Sequence, residues 1–348
     1  PPDTLIRAAH IALCATDLAA LDELSTSDQP LLAGVANYVL SYLWENTAND
    51  LDRALLAARR MLACFDDDGP PVLRAVAHGR VGELSLQVDP GEGALRHLDA
   101  ALSITSELGW STATRGRWAL VLANLQRGAF DEAERALDEE GPAGAEELAG
   151  FELCARAEIR LGRGDIEGGL RLWREAADRV RTATGAGLWP FEVEAVAVVT
   201  HARFGRLDLV DDLVAALPGI LSRTLPTAAV AGFPVCGSLL LALGVTEIEG
   251  DTARGVRMIA LAERFGLLRG FQPTMSPERI KGVAQNADGP AYADAVSTYA
   301  SLDHEGLRAA ALRSAVGVTP EQRPRPPVAG DRQPDAPGNG DDATVVRR

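Results

Sequence analysis

The sequence predicts an all-α protein, specifically an α-solenoid of stacked antiparallel helix pairs followed by a disordered C-terminal tail. Three observations predict it. Apolar residues recur at the helical period, a Gly/Asp turn followed by such a run returns six times, and the composition is apolar but poor in aromatics, at 47% and 5%. The clearest copy is NDLDRALLAARRML from Asn49, where Asn49 or Asp50 can cap a helix. Behind the cap, Leu51, Ala54, Leu55, Ala58, Met61 and Leu62 share one face.

In chain order, Leu5–Cys14 and Leu18–Leu24, joined at Thr16–Asp17, form a degenerate leading pair. First helices are then expected over Leu31–Trp44, Val72–Leu86, Trp118–Leu125, Phe151–Leu161, Phe191–Phe204 and Val235–Ile248. Each is followed by a turn and a second helix, starting near residues 50, 90, 129, 165, 206 and 251. Aligned on the turn, the innermost position is Ala54, Ala94, Ala133, Gly169, Val210 and Gly255, so repeats are roughly 36 to 45 residues apart. Two residues earlier stands a carboxylate in five cases, Asp52, Glu92, Asp131, Glu167 and Asp208, which the helix dipole favours in a first turn. Four residues later the chain is apolar throughout: Ala58, Leu98, Leu137, Trp173, Val214 and Ile259. A helix pair cannot bury two apolar stripes alone, so neighbouring pairs stack and share a core.

Residues 1–270 are therefore read as repeats and 271–316 as helices that cap the apolar end. Ser276, Pro277 and Glu278 mark a helix start, with further helices expected over Ala291–Leu302 and Glu305–Val316. Residues 317–348 are Pro-, Gly-, Asp- and Arg-rich and predict a disordered tail, whose PRPP at Pro324–Pro327 reads as a solvated segment.

A net charge of −15 and a pI near 4.8 argue against a surface that grips nucleic acid or an anionic membrane. No apolar run reaches transmembrane length and no targeting motif is present, so the sequence predicts a cytoplasmic protein that does not engage a membrane. Beginning Pro1-Pro2 with a partial leading repeat, it reads as a piece of a larger protein. Cys14, Cys64, Cys154 and Cys236 lack metal or redox spacing and read as buried thiols.

No catalytic signature emerges, and the chain is read as a non-enzyme without cofactor or metal. GDIEGG at Gly164 lacks the preceding strand and the Lys-Ser/Thr of a phosphate loop. DDDGP at Asp66 lacks the alternation of a calcium loop. His10, His78, His97, His201 and His304 are isolated from one another, and no serine stands in a nucleophile elbow. The candidate contacts are arginines on first helices: Arg74, Arg80, Arg115, Arg117, Arg156 and Arg160. First helices line the concave face of stacked repeats, where guanidiniums can hold a carboxylate or phosphate. The competing reading is arginines paired on an acidic surface. Trp44, Trp110, Trp118, Trp173 and Trp189 are expected in the core, with one or two available as a groove wall.

The turn and second helix of each unit resemble a tetratricopeptide repeat, which opens its second helix with Gly-Asp and places Ala inside. The first helices match that pattern poorly, making the array TPR-like and irregular. Four strings carry a more particular resemblance: LAGVANYVLSYLWENTANDLDRALLAARRML from Leu32, WALVLANLQRGAFDEAERAL from Trp118, FPVCGSLLLAL from Phe233 and MIALAERFGLLRGFQPTMS from Met258. They resemble the C-terminal helical region of large actinobacterial transcriptional regulators of the AfsR/SARP type, which carry a bacterial transcriptional activation domain. The resemblance implies a sensory or autoregulatory scaffold. Its partners would be a protein or peptide, foremost the regulator's own upstream ATPase and DNA-binding modules, and a small-molecule effector. A stand-alone TPR-like adaptor for protein–protein interaction is the alternative.

Overall fold

The Gly/Asp punctuation becomes helix ends and helix starts. The computed structural model describes residues 4, 7–8, 10–11, 17–48, 50–65, 69–88, 91–109, 114–138, 150–182, 187–227, 233–267 and 270–316. Residues 1–318 form one unit; the other, 319–348, lies outside the described residues together with the predicted tail and its PRPP. The described residues are all-helical, with no strand among them. In order they are α1 (Leu18–Leu24), α2 (Pro30–Ala48), α3 (Leu51–Cys64), α4 (Pro71–Val88), α5 (Glu92–Glu107), α6 (Thr114–Gln126) and α7 (Phe130–Asp138). There follow α8 (Phe151–Gly162), α9 (Ile166–Thr182), α10 (Trp189–Arg203), α11 (Asp211–Thr227), α12 (Phe233–Glu247), α13 (Thr252–Phe265), α14 (Pro277–Ala300) and α15 (His304–Val316). Of the leading segment Leu5–Cys14 only residues 7–8 and 10–11 are described; they are helical, and Ala8 and Ile11 are buried.

Aspartates start many of these helices by accepting orphan N–H groups: Asp17 from Ala19 and Ala20, Asp50 from Arg53, Asp165 from Gly168 and Asp251 from Arg254. The glycine that ends a first helix takes a left-handed φ, +71° at Gly128, +88° at Gly164 and +65° at Gly205, which lets the chain reverse at once. Each second helix packs on its first: α2 on α3, α4 on α5, α6 on α7, α8 on α9 and α12 on α13. The inner small residues lie in this contact. Ala54, Ala94 and Ala133 are buried. A Cβ on Gly255 would lie 2.7 Å from the Gly244 carbonyl oxygen, so α12 and α13 meet backbone to backbone.

One element departs from the sequence reading, and another, α14, breaks just before Ala291, where a separate helix was expected. After Gly205 the chain makes one 3-10 turn, Leu207–Leu209, and α11 begins at Asp211 rather than near residue 206. Val210 thus precedes its helix, although it is still buried. In α14 the break falls at Asp288, whose φ of −159° and ψ of 88° are not helical. Asp288 then caps the resumed helix by accepting from the Ala291 N–H at 3.0 Å, with Pro290 in its first turn.

The core is uneven along the chain. From Trp118 to Ala311 most buried apolar residues form one continuous cluster, whereas the earlier helices hold four smaller ones, one of which takes in Ala119 and Ala123 of α6.

Candidate functional site

The six arginines singled out in the sequence meet different fates. Arg156 on α8 pairs with Asp138 and Glu152 at 2.9 and 3.0 Å, and Arg160 pairs with Asp165 at 2.7 Å; both remain at the surface. Arg74 is half-buried on α4 and already engaged. Arg115 and Arg117 stand on α6, but their side chains lie outside the described residues. Among those whose side chains are described, Arg80 alone turns inward, with 4% of its surface exposed.

Burying that guanidinium requires partners for its charge and its N–H groups. Nε donates to Ser41 Oγ at 2.9 Å, and Nη2 to the Ser41 carbonyl at 3.1 Å and to Glu45 at 2.5 Å. Glu83, one turn along α4, stands 3.7 Å from Nη1. Tyr42 lies flat beneath, its ring centroid 3.7 Å from the guanidinium carbon. Arg80 therefore joins α2 to α4.

Beside it opens a cavity of about 280 Å³. Its walls are Tyr38 and Tyr42 from α2; Val72, Ala75, Val76, Gly79, Arg80 and Glu83 from α4; and Leu98, Ala101, Leu102 and Thr105 from α5. Ala119 of α6 closes it. A Cβ on Gly79 would meet nothing within 4 Å, because that position faces open space. Burial drives the Tyr42 phenol well above its ordinary pKa, against the pull of Arg80, so it remains a neutral hydroxyl. The Thr105 hydroxyl donates to the Ala101 and Leu102 carbonyls. The lining holds no His, Cys or Ser, and its one arginine is charge-matched. Such a cavity can recognise a compact apolar molecule; it offers no nucleophile with an adjacent base.

The later first helices present a different surface, because the chain covers it with itself. Gly270 comes against Leu122 of α6, where an added Cβ would sit 3.2 Å from a methyl of that leucine. Phe271 enters an aromatic group from three helices: Phe151 of α8 at 5.3 Å, Trp173 of α9 at 5.3 Å and Trp189 of α10 at 5.8 Å between ring centroids. Trp118 of α6 joins through Phe151 at 4.0 Å. Thr274 then meets Glu158 of α8 and Thr200 of α10. Glu158, fully buried, accepts from Thr274 N–H at 2.8 Å, Thr274 Oγ1 at 2.6 Å and Trp173 Nε1 at 2.8 Å. Burial raises its carboxyl above the usual range, and those three donors partly offset the rise. Residues 271–275 are thus an inserted strap as well as the approach to α14.

Sequence reasoning missed Glu158 and Glu192. The available signal was a carboxylate inside an apolar helical run, in CARAEIRL and FEVEAVAVV. It also kept His78 and His97 apart, although they face each other between α4 and α5 with Nδ1 atoms 2.9 Å apart. Burial first, then His78, Arg59 and Arg96, hold His97 below its ordinary pKa. Among the described residues no group of three or more His, Cys, Asp or Glu is placed to hold a metal, and no helix is long and apolar enough to cross a membrane. Cys154 and Cys236 are buried free thiols and Cys64 is a half-buried one; Cys14 and Trp110 lie outside the described residues.

No protein family, curated protein or solved structure matches the chain.

Proposed function

We propose that this chain is the ligand- or partner-sensing repeat region of a transcriptional regulator resembling the AfsR/SARP type, a non-catalytic scaffold that restrains DNA-binding and ATPase modules until its groove is engaged. In this reading the helices form a TPR-like α-solenoid. Packing of α4 on α6, α6 on α8 and α10 on α12 supports it, since alternate helices touch when pairs stack.

The observation that carries the functional reading is the contrast along the first helices. Over α6, α8 and α10 the strap from Gly270 to Thr274 fills the surface. Over α2, α4 and α5 an apolar cavity of about 280 Å³ stays open beside Arg80. A ligand therefore has somewhere to enter in the first half of the chain. By preferring one spacing of α2, α4 and α5 it would shift the population of a signalling state by its differential affinity.

Two measurements test this. Titrating the chain with nucleotides, metabolites and peptides of the ATPase module should find a ligand that raises the melting temperature of the native chain but not of Gly79→Leu. Deleting these residues from the full regulator should change nucleotide turnover and promoter activation. Unchanged turnover and activation would sink the regulatory reading, and binding only to unrelated proteins would make the chain an adaptor.

A further inference from the structure

A second cavity, of about 400 Å³, lies between α1, α2 and α3, away from Arg80. Its apolar wall is Leu18, Leu56 and Trp44, and the two leucines are 37% and 50% exposed. Singly exposed leucines are ordinary; leucines that share one cavity with an indole mark a place to receive an apolar group.

The polar groups narrow the choice. Asp22 from α1 and Arg60 from α3 both border the cavity, and neither side chain makes an ion pair or hydrogen bond among the described residues. They are opposite charges on one cavity that form no ion pair with each other. Arg53 beside them is already committed, to Asp50 at 3.4 Å and to the face of Trp44 at 4.7 Å. Asn37 of α2 is a further lining residue and is fully buried. Its amide nitrogen donates to the Ser25 and Ala33 carbonyls at 3.1 and 2.9 Å, which fixes its orientation and leaves Oδ1 as a buried acceptor without a donor.

Each simple class of ligand fails against this set. An anion that reaches Arg60 faces Asp22, and a cation that reaches Asp22 faces Arg60. A neutral apolar molecule would desolvate both charges and return nothing to either. A molecule carrying both charges on an apolar body satisfies them together. We propose that this cavity binds a zwitterion with an apolar side chain, of the class of the larger hydrophobic α-amino acids. The ammonium group is held by Asp22, the carboxylate by Arg60, and the side chain lies against Leu18, Leu56 and Trp44. This inference is independent of the cavity beside Arg80.

The test is calorimetric titration and thermal shift of the whole chain with L-leucine, N-acetyl-L-leucine, L-leucinamide and glycine. Leucine is expected to bind and raise the melting temperature, and each of the other three to bind at least about tenfold more weakly, since a site built for a polar group rejects the analogue that lacks it. Asp22→Asn should weaken leucine while erasing the difference between leucine and N-acetyl-leucine. Arg60→Gln should erase the difference between leucine and leucinamide. Both positions are exposed, so the unliganded variants should melt with the native chain. No heat and no thermal shift with leucine at millimolar concentration, equal binding of all four compounds, or leucine affinity unchanged in both variants would each overturn the proposal.

Discussion

Thr274 grips Glu158 across 116 residues of sequence with two bonds, its backbone N–H at 2.8 Å and its hydroxyl at 2.6 Å. Trp173 donates a third to the same fully buried carboxylate. Glu158→Ala would strand all three donors and is expected to cost about 3 kcal/mol or more in a urea titration. Glu158→Gln keeps an acceptor in place and should cost less. Equal losses would mean that volume, not hydrogen bonding, sets the effect.

The Glu192 carboxyl is pushed from 4.5 up to about 8 by burial, against a bond from Ser238 Oγ at 3.0 Å. Its Oε2 has no partner, as suits a group that keeps its proton. Because the folded-state value is the raised one, the contribution of Glu192 is intact below pH 4.5 and is lost as pH rises through about 8. Over that window the loss should amount to roughly 2–4 kcal/mol. Glu192→Gln should flatten this part of the stability profile while retaining the bond to Ser238. Thermal denaturation of both proteins between those pH values decides it; parallel profiles would rule Glu192 out as the source.

Arg80 fastens α2 to α4, and its removal leaves Glu45 and the Ser41 carbonyl without their donor. Arg80→Ala should destabilise the chain by about 3 kcal/mol. Arg80→Lys should recover only part of the loss, because one ammonium cannot reproduce the fork or the flat contact with Tyr42. Chemical denaturation of the two variants gives both numbers.

Gly79 lies inside α4 with free space where a side chain would start. Gly79→Ala should therefore raise stability by about 0.5–1 kcal/mol, the usual gain when a helix-interior glycine is replaced without a clash. Gly79→Leu should occupy the cavity beside Arg80 and abolish uptake of a neutral apolar dye there. A variant that is destabilised yet still takes up the dye would show that the cavity is not where Gly79 points.

The helices were legible because each carries its own signals within a few residues: Asp50, Asp165 and Asp251 at starts, Gly128 and Gly164 in left-handed turns, and the apolar period between. The candidate site was legible only as a list of arginines. Arg80 and Arg156 look alike in sequence, and what separates them is which helix faces them: Ser41 and Glu45 of α2 wait opposite the first, while Asp138 and Glu152 sit at the surface beside the second. The strap was illegible for a similar reason. Phe271 and Thr274 obey no period, and the partners that fix them, Phe151, Trp189 and Glu158, lie 82 to 120 residues earlier in the sequence.

The uneven division of the core sets the order in which the molecule opens. From Trp118 onward most buried residues belong to one cluster that the strap stitches across α6 to α10, so those helices should exchange their amide protons together, in a single cooperative event. Helices α1 to α5 rest on small separate clusters and should open earlier, pair by pair. Both cavities lie in that looser half. A molecule that enters either one would register as slowed exchange in α1 to α5 against an unchanged second half, which makes the strapped helices a built-in reference for reading occupancy in the rest.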